Sequence, residues 1–253
     1  MPSGRASILM YHNVGIPPQG AKLRSLYVTP RMFRFQMWYL KKAGFQVVSL
    51  NEILGFTRED KNASGGKQKQ KNKRLISLTF DDGFLDFFEN AFPVLKKYGY
   101  PATVFVVSGL AGRENLWDAG ALGVRKKLMD WEKIRYLKEN GITIGAHTQT
   151  HPKLSSLSPD DIKKEVHGSR AGIKERLGVE AEFFCYPYGD FNDAAVREVK
   201  KAGFLGAVSV GRGFVCRGDD PFALKRIPVR LNTWPLSFIY KLHSDYEIKK
   251  GGF

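Results

Sequence analysis

Short unbroken runs of apolar and β-branched residues punctuate the chain, and between most of them apolar positions recur every third or fourth residue. The runs fall at 7–11, 45–50, 75–80, 102–107, 142–147, 182–186, 206–210 and 224–229. Runs that stay apolar at successive positions fit parallel strands covered on both faces. The intervening periodicity predicts helices. One starts at an N-cap, Thr29, with Pro30 in its first turn; it turns Phe33, Met37 and Leu40 to one side and stops at Gly44. Others are expected at 51–56, 130–140, 158–177 and 193–202, and at 86–98, where Phe87, Ala91, Val94, Leu95 and Tyr98 share a face despite Pro93. A long connection at 110–122 contains Trp117 and Asp118, and a tail is expected from about residue 231.

A βα unit thus repeats seven or eight times, with short links and no break in composition. That order predicts one α/β domain over 1–253, its parallel sheet rolled into a closed or nearly closed barrel. A hydrophobic share of 43%, with 13% aromatics, supplies a core for it. Charge changes the picture in one place. The formal net charge is +15, and part of the excess (Lys61, Lys67, Lys69, Lys71, Lys73 and Arg74) lies in a stretch almost free of apolar residues. Residues 57–74 therefore read as a basic, flexible loop. No zinc-finger, recognition-helix or RNA-stacking motif accompanies it, so nucleic acid is not expected as a partner. The excess suits an acidic glycan or peripheral contact with a membrane surface.

Cys185 and Cys216 are too few for a disulfide framework, and Cys185 reads as a small core residue. The first apolar run is too short for a signal-peptide core or a membrane span. The expected location is cytoplasmic, with the inner membrane face the place where basic charge would act. Oligomeric state is not legible.

The polar residues that follow the runs carry the chemistry. His12, Asp81 and Asp82, His147, Tyr186-Pro187-Tyr188 and Arg226 all stand at or just past the C-terminal ends of predicted strands. In a parallel barrel those ends share one face, where active sites form. Asp82, His147 and His151 make a two-histidine, one-carboxylate set that suits Zn²⁺, Co²⁺, Ni²⁺ or Fe²⁺ and leaves positions open for water and substrate. Four-residue spacing brings the histidines together if the backbone makes one helical turn; alone, it is equally a pair of surface histidines before Pro152. Adjacent acids alternate in direction at a strand end. Asp81 is therefore placed either to act as a general base or to cap the helix that begins near Phe84. Trp117 and Trp131 flank this region as residues for stacking on a sugar or for the core. His167 reads as a helix-packing residue.

The stretches TFDDGF (79–84) and HTQTH (147–151) resemble the first two motifs of the polysaccharide deacetylases, the NodB-homology group of carbohydrate esterase family four. ILMYHNV (8–14), 131–154, FFCYPYGDFN (183–192) and LKRIPV (224–229) extend the resemblance over nearly the whole chain, nearest to the biofilm poly-N-acetylglucosamine deacetylase branch. The resemblance implies a distorted (β/α)7–8 barrel of NodB type. It implies hydrolysis of N-acetyl groups on N-acetylglucosamine-type glycans or lipid-linked sugars, with a divalent metal, Zn²⁺ first and Co²⁺ or Ni²⁺ next. A non-sugar amide or cyclic imide is the alternative substrate, since some members of the family act on these.

Position by position, the resemblance assigns Asp82, His147 and His151 to the metal and Asp81 to the base. It gives substrate contacts to Tyr186 and Pro187, and an oxyanion donor to the Tyr188 N–H. Two features depart from the family pattern: the arginine preceding the third motif is missing, and so is the C-terminal Leu-x-His that carries the acid. The expectation is a permuted arrangement in which His12 supplies the acid and Arg226 the guanidinium near Asp81. His12 as a buried, hydrogen-bonded histidine is the competing reading.

Overall fold

The computed structural model describes residues 4–58, 74–118 and 123–251. In chain order its strands are β1 (Arg5–Tyr11), β2 (Asn13–Val14), β3 (Tyr27–Val28), β4 (Gln46–Val47), β5 (Leu75–Phe80), β6 (Ala102–Val106), β7 (Ile142–Ala146), β8 (Phe183–Cys185), β9 (Gly206–Arg212), β10 (Val215–Cys216) and β11 (Leu224–Pro228). The α-helices are α1 (Pro30–Lys42), α2 (Leu50–Arg58), α3 (Phe92–Tyr98), α4 (Trp131–Glu139), α5 (Pro159–Leu177), α6 (Asp193–Lys201), α7 (Pro235–His243) and α8 (Tyr246–Lys249).

Seven parallel staves close on themselves in the order β1-β11-β9-β8-β7-β6-β5, and β5 returns to β1 with Ser7 opposite Ile76 and Tyr11 opposite Phe80. The run at 45–50 is not an eighth stave. On one edge of β5, β4 takes Leu75 and Ile76 while β6 takes Thr79 and Phe80, so the barrel splits toward its lower end. β10 does the same to β1, antiparallel, at Arg5 and Ala6. The amphipathic α2 covers that end: Leu50, Ile53, Leu54 and Phe56 join Ala6, Ile8, Phe105, Phe183 and Val208 in one apolar cluster. This is a distorted (β/α)7 barrel.

Side-chain alternation explains what each stave presents. Ile76, Leu78 and Phe80 of β5 belong to the outer layer packed by the helices, which leaves Ser77, Thr79 and Asp81 for the interior. The same rule turns Thr143, Gly145 and His147 inward along β7. Gly145 has no side chain because Phe105 of the neighbouring stave lies across it; a Cβ there would stand 2.5 Å from the Phe105 ring.

Helix starts follow the sequence closely. Thr29, Asp130, Ser158 and Asn192 each accept a hydrogen bond from the backbone N–H three residues on. Two expectations are corrected. The helix expected at 86–98 is a π turn over Phe87–Ala91 followed by α3, because Pro93 is tolerated only where its missing N–H is not needed, in a first turn. The stretch expected as a tail from about 231 carries α7 and α8: α7 packs on α1, and Tyr39 Oη pairs with His243 Nε2 at 2.9 Å. Residues 59–73 of the expected basic loop, and 119–122 of the connection, lie outside the described residues. Among the described residues no helix is long and apolar enough to cross a membrane.

Replacing Gly145 with alanine should overpack the interior and destabilise the fold by about 1–3 kcal/mol. Urea unfolding monitored by circular dichroism measures it, and part of the loss should return in Gly145→Ala/Phe105→Leu.

Candidate active site and metal centre

Where β5 ends, Asp81 N still bonds Tyr11 O at 3.0 Å, which fixes the Asp81 side chain inward. Strict alternation would then throw Asp82 outward. Instead Asp82 and Gly83 both turn left-handed (φ 74° and 73°), and Asp82 is carried to the same mouth as Asp81. Past β7 the chain makes a comparable turn, with Thr148 at φ 64° and His151 at φ 66°. The two histidines meet through this turn and not through a helical turn, which corrects the spacing argument. Thr148 Oγ1 donates to His147 O at 2.5 Å and accepts from His151 N at 2.9 Å. Glu165 of α5 clamps the outside, accepting from Gln149 N at 2.8 Å and Thr150 N at 3.0 Å. Asp82, Thr148, His151 and Tyr188 are the non-glycine residues with positive φ among the described residues; Asp82, His151 and Tyr188 line one cleft, and Thr148 lies in the turn that carries His151 to it. Backbone strain of this kind persists only where surrounding structure over-determines it, commonly at functional sites.

Asp82, His147 and His151 are buried and aim one ligand atom each at a common point. Asp82 Oδ1 lies 3.3 Å from His147 Nε2 and 3.3 Å from His151 Nε2, and the two nitrogens are 3.2 Å apart. Ligands held about 2.0–2.1 Å from one tetrahedral Zn²⁺ stand about 3.3–3.4 Å from each other, so the triangle fits a single small divalent ion. The protonation pattern fits as well. His147 Nδ1 is 2.7 Å from the Cys185 carbonyl, which can only accept; Nδ1 therefore carries hydrogen and Nε2 offers its lone pair. His151 is positioned by ring packing, stacked on Trp117 at 4.4 Å and edge-on to Tyr188 at 4.6 Å.

Asp81 serves a different partner. Arg226, on β11, has 0% exposure and reaches across the barrel; its Nη1 and Nη2 donate to the two Asp81 oxygens at 2.7 Å each. Nε is spent on Ser209 O at 2.8 Å, and Nη1 also meets Thr79 Oγ1 at 3.1 Å. Burial opposes the charged carboxylate, yet Arg226, with His12 and His147 behind it, outweighs burial and holds Asp81 below its ordinary value. Burial pushes the Cys185 thiol, 3.4 Å from Arg226 Nη2, up, so it stays protonated. His12 Nε2 stands 3.8 Å from Asp81 Oδ2 and faces the cleft.

The cleft has a volume of about 340 Å³ and takes in His12, Asp81, Asp82, both histidines and Tyr188. Tyr186 lines it with its ring only: its hydroxyl donates to Phe222 O at 3.0 Å and its ring stacks on Phe191. Pro187, Trp117 and Trp131 do not line it; Trp117 stands behind His151, and Trp131 opens α4 and packs against the outer core. His167 pairs with Glu198 at 3.1 Å on the helix layer, and His243 packs against α1, so neither reaches the cleft. Sequence reasoning missed Thr148, Glu165 and the Cys185 carbonyl. It also missed Arg212 and Arg230, which line the cleft beyond Arg226. Of these only Glu165 carries a sequence signal, as an acid one helical turn past Asp161.

Comparison with known proteins finds similarity in sequence and in fold. A family model described as polysaccharide deacetylase matches residues 68–207. The chain is 28% identical over 222 residues to a putative polysaccharide deacetylase, YxkH, of Bacillus subtilis, covering 88% of this chain and 70% of that protein. It is 26% identical over 209 residues to the poly-β-1,6-N-acetyl-D-glucosamine N-deacetylase of Staphylococcus aureus, covering 81% of this chain and 69% of that protein. Among solved structures, the Streptococcus pyogenes deacetylase PplD in complex with acetate superposes with a TM-score of 0.78 at 25% identity, over 96% of this chain and 100% of that one. IcaB from Ammonifex degensii shares the fold with a TM-score of 0.76 at 23% identity, over 96% and 98% of the two chains.

Two measurements follow from the geometry. His151→Ala should purify with less than a tenth of the divalent metal that wild type retains, by elemental analysis, while its circular dichroism spectrum is kept. Arg226→Met, which strands a buried carboxylate, should lose about 3–5 kcal/mol of stability in urea. Arg226→Met/Asp81→Leu, which removes both charges, should recover much of it.

Proposed function

The chain belongs to the polysaccharide deacetylase family, and from that premise we propose that it hydrolyses N-acetyl groups of N-acetylglucosamine-type glycans or glycoconjugates to acetate and a free amine. The observation that carries the reading is the pairing, in one cleft, of the Asp82–His147–His151 triangle with an Asp81 carboxylate gripped by Arg226. The S. aureus relative, named for deacetylating an N-acetylglucosamine polymer, supports the choice of sugar.

Asp82, His147 and His151 would hold a divalent cation, Zn²⁺ before Co²⁺ or Ni²⁺ on the tetrahedral spacing of the donors. Such a cation supplies Lewis acidity toward water and toward the acetamide carbonyl.

The remaining work falls to the chain. Arg226 keeps Asp81 ionised and fixes its plane, so that it takes the proton of the attacking water. The Tyr188 N–H, set at the cleft by a left-handed backbone, is the donor toward the developing oxyanion; a donor of this kind contributes on the order of 3 kcal/mol. His12, 3.8 Å from Asp81, gives its proton to the departing sugar amine. Arg226 is a positioning residue here, since it touches Asp81 and not the reacting atoms.

Acetate release from β-1,4- and β-1,6-linked N-acetylglucosamine oligomers tests the reading. A chelator should abolish release and Zn²⁺ restore it. Asp81→Asn should lower kcat by about 10²–10⁴ with zinc content unchanged, and His12→Ala by about 10² or more. Wild-type turnover in His12→Ala would remove His12 from the mechanism. Absence of release from zinc-loaded wild type would remove the sugar.

A further inference from the structure

Beyond Arg226 the cleft continues. Arg212 and Arg230 line it, and the same two residues line a second cavity of about 390 Å³ walled also by Lys241, Ser237 and Tyr240. Among the described residues no carboxylate lines this second cavity. Glu247 of α8 is fully buried, with one oxygen accepting from Arg212 Nε at 2.8 Å and the other from Lys241 Nζ at 2.5 Å. Lys241 Nζ also donates to Pro228 O at 3.1 Å. Glu247 therefore fixes two cations in place while neutralising one charge. Arg230 is exposed, and among the described residues no carboxylate pairs with its guanidinium. Three cations face one acid, which leaves two positive charges in excess in a concave site.

A built, acid-free cationic cavity matches an oxyanion. Arginine meets planar pairs of anionic oxygens bidentately, and the Tyr240 hydroxyl adds a donor beyond those that the two oxygens of a carboxylate use; the Ser237 hydroxyl is spent on Trp234 O at 2.9 Å. The number of donors fits a phosphate group. Because Arg212 and Arg230 belong to both cavities, an anion held there sits beside whatever occupies the cleft.

Resting on the deacetylase reading, we propose that the preferred substrate is an N-acetylated sugar carrying a phosphate ester. Arg230 and Arg212 bind its oxygens in the second cavity while the acetamide lies at the Asp81 side. Arg230 is then a specificity residue, and Glu247 positions Arg212 and Lys241.

The test compares acetate release from N-acetylglucosamine disaccharides with and without a phosphate ester. Wild type should favour the phosphorylated substrate at least tenfold in kcat/KM, and added salt should shrink the preference. Arg230→Gln should reduce that preference about tenfold, mainly through KM, and Arg230→Lys should restore part of it. Equal use of the two substrates by wild type, or an equal loss on both in Arg230→Gln, overturns the proposal.

A second readout does not depend on catalysis. Calorimetric binding of glucose 1-phosphate, which has no acetamide, should weaken about tenfold in Arg230→Gln and persist in His151→Ala. Unchanged affinity in Arg230→Gln overturns the anion site even if acetate is released. Weakened affinity with no acetate from either disaccharide keeps the anion site and removes the deacetylase reading instead.

Discussion

The ion pair between Asp81 and Arg226 organises the upper half of the barrel. A guanidinium and a carboxylate at 0% and 3% exposure would each be prohibitive alone, and only their two-point contact, with Ser209 O, Thr79 Oγ1 and Cys185 Sγ taking the remaining donors, makes the arrangement tenable. The pair divides the interior. Below it the staves present Ile8, Phe105, Phe183 and Leu224, an ordinary apolar filling. Above it every inward position serves the cleft. The two acids at the end of β5 thereby acquire separate partners: Asp81 is neutralised by an arginine, and Asp82 is left to the imidazoles.

The geometry of the Asp82–His147–His151 triangle rests on main chain more than on side chains. A carbonyl of β8 fixes the His147 tautomer, two left-handed residues fold the 147–151 turn, and Glu165 of α5 holds its backbone from outside. These supports come from two successive βα units, the turn and Glu165 from the one that β7 begins and the carbonyl from the one that β8 begins. Stave ends and a packed helix hold them, so the three ligand atoms are already gathered, and a cation bound there would require little reorganisation.

Much of this was readable in the chain. Continuous apolar runs marked the staves, and the N-cap Thr29 with Pro30 after it, and Ser158 at the start of its helix, marked two of the helices. Polar residues at strand ends named Asp81, Asp82, His147 and Arg226 as neighbours, because a parallel barrel admits only one active face. What stayed hidden was non-local or conformational. Whether the 45–50 run is a stave or a splayed edge depends on β6 occupying the same side of β5. Left-handed backbone at Asp82 and His151 has no glycine to announce it. Arg212 and Arg230 look like ordinary surface cations until α7 and α8 fold over and Glu247 is buried beneath them. Trp117 and Trp131, attractive as sugar platforms by residue type, are placed by packing behind the cleft wall and against the outer core.

The position of Arg226 in β11 has a consequence for how the protein is made. The ribosome delivers Asp81 long before its guanidinium, and β1 waits between β5 and a partner still to be synthesised. Until β11 emerges, the nascent barrel is an open sheet whose first and penultimate staves, β1 and β9, present unpaired edges, with a carboxylate on its inner face that only water can satisfy. Closing the sheet and neutralising that carboxylate are one event, performed by one strand. Assembly of the chemical centre is thus timed to the completion of the barrel.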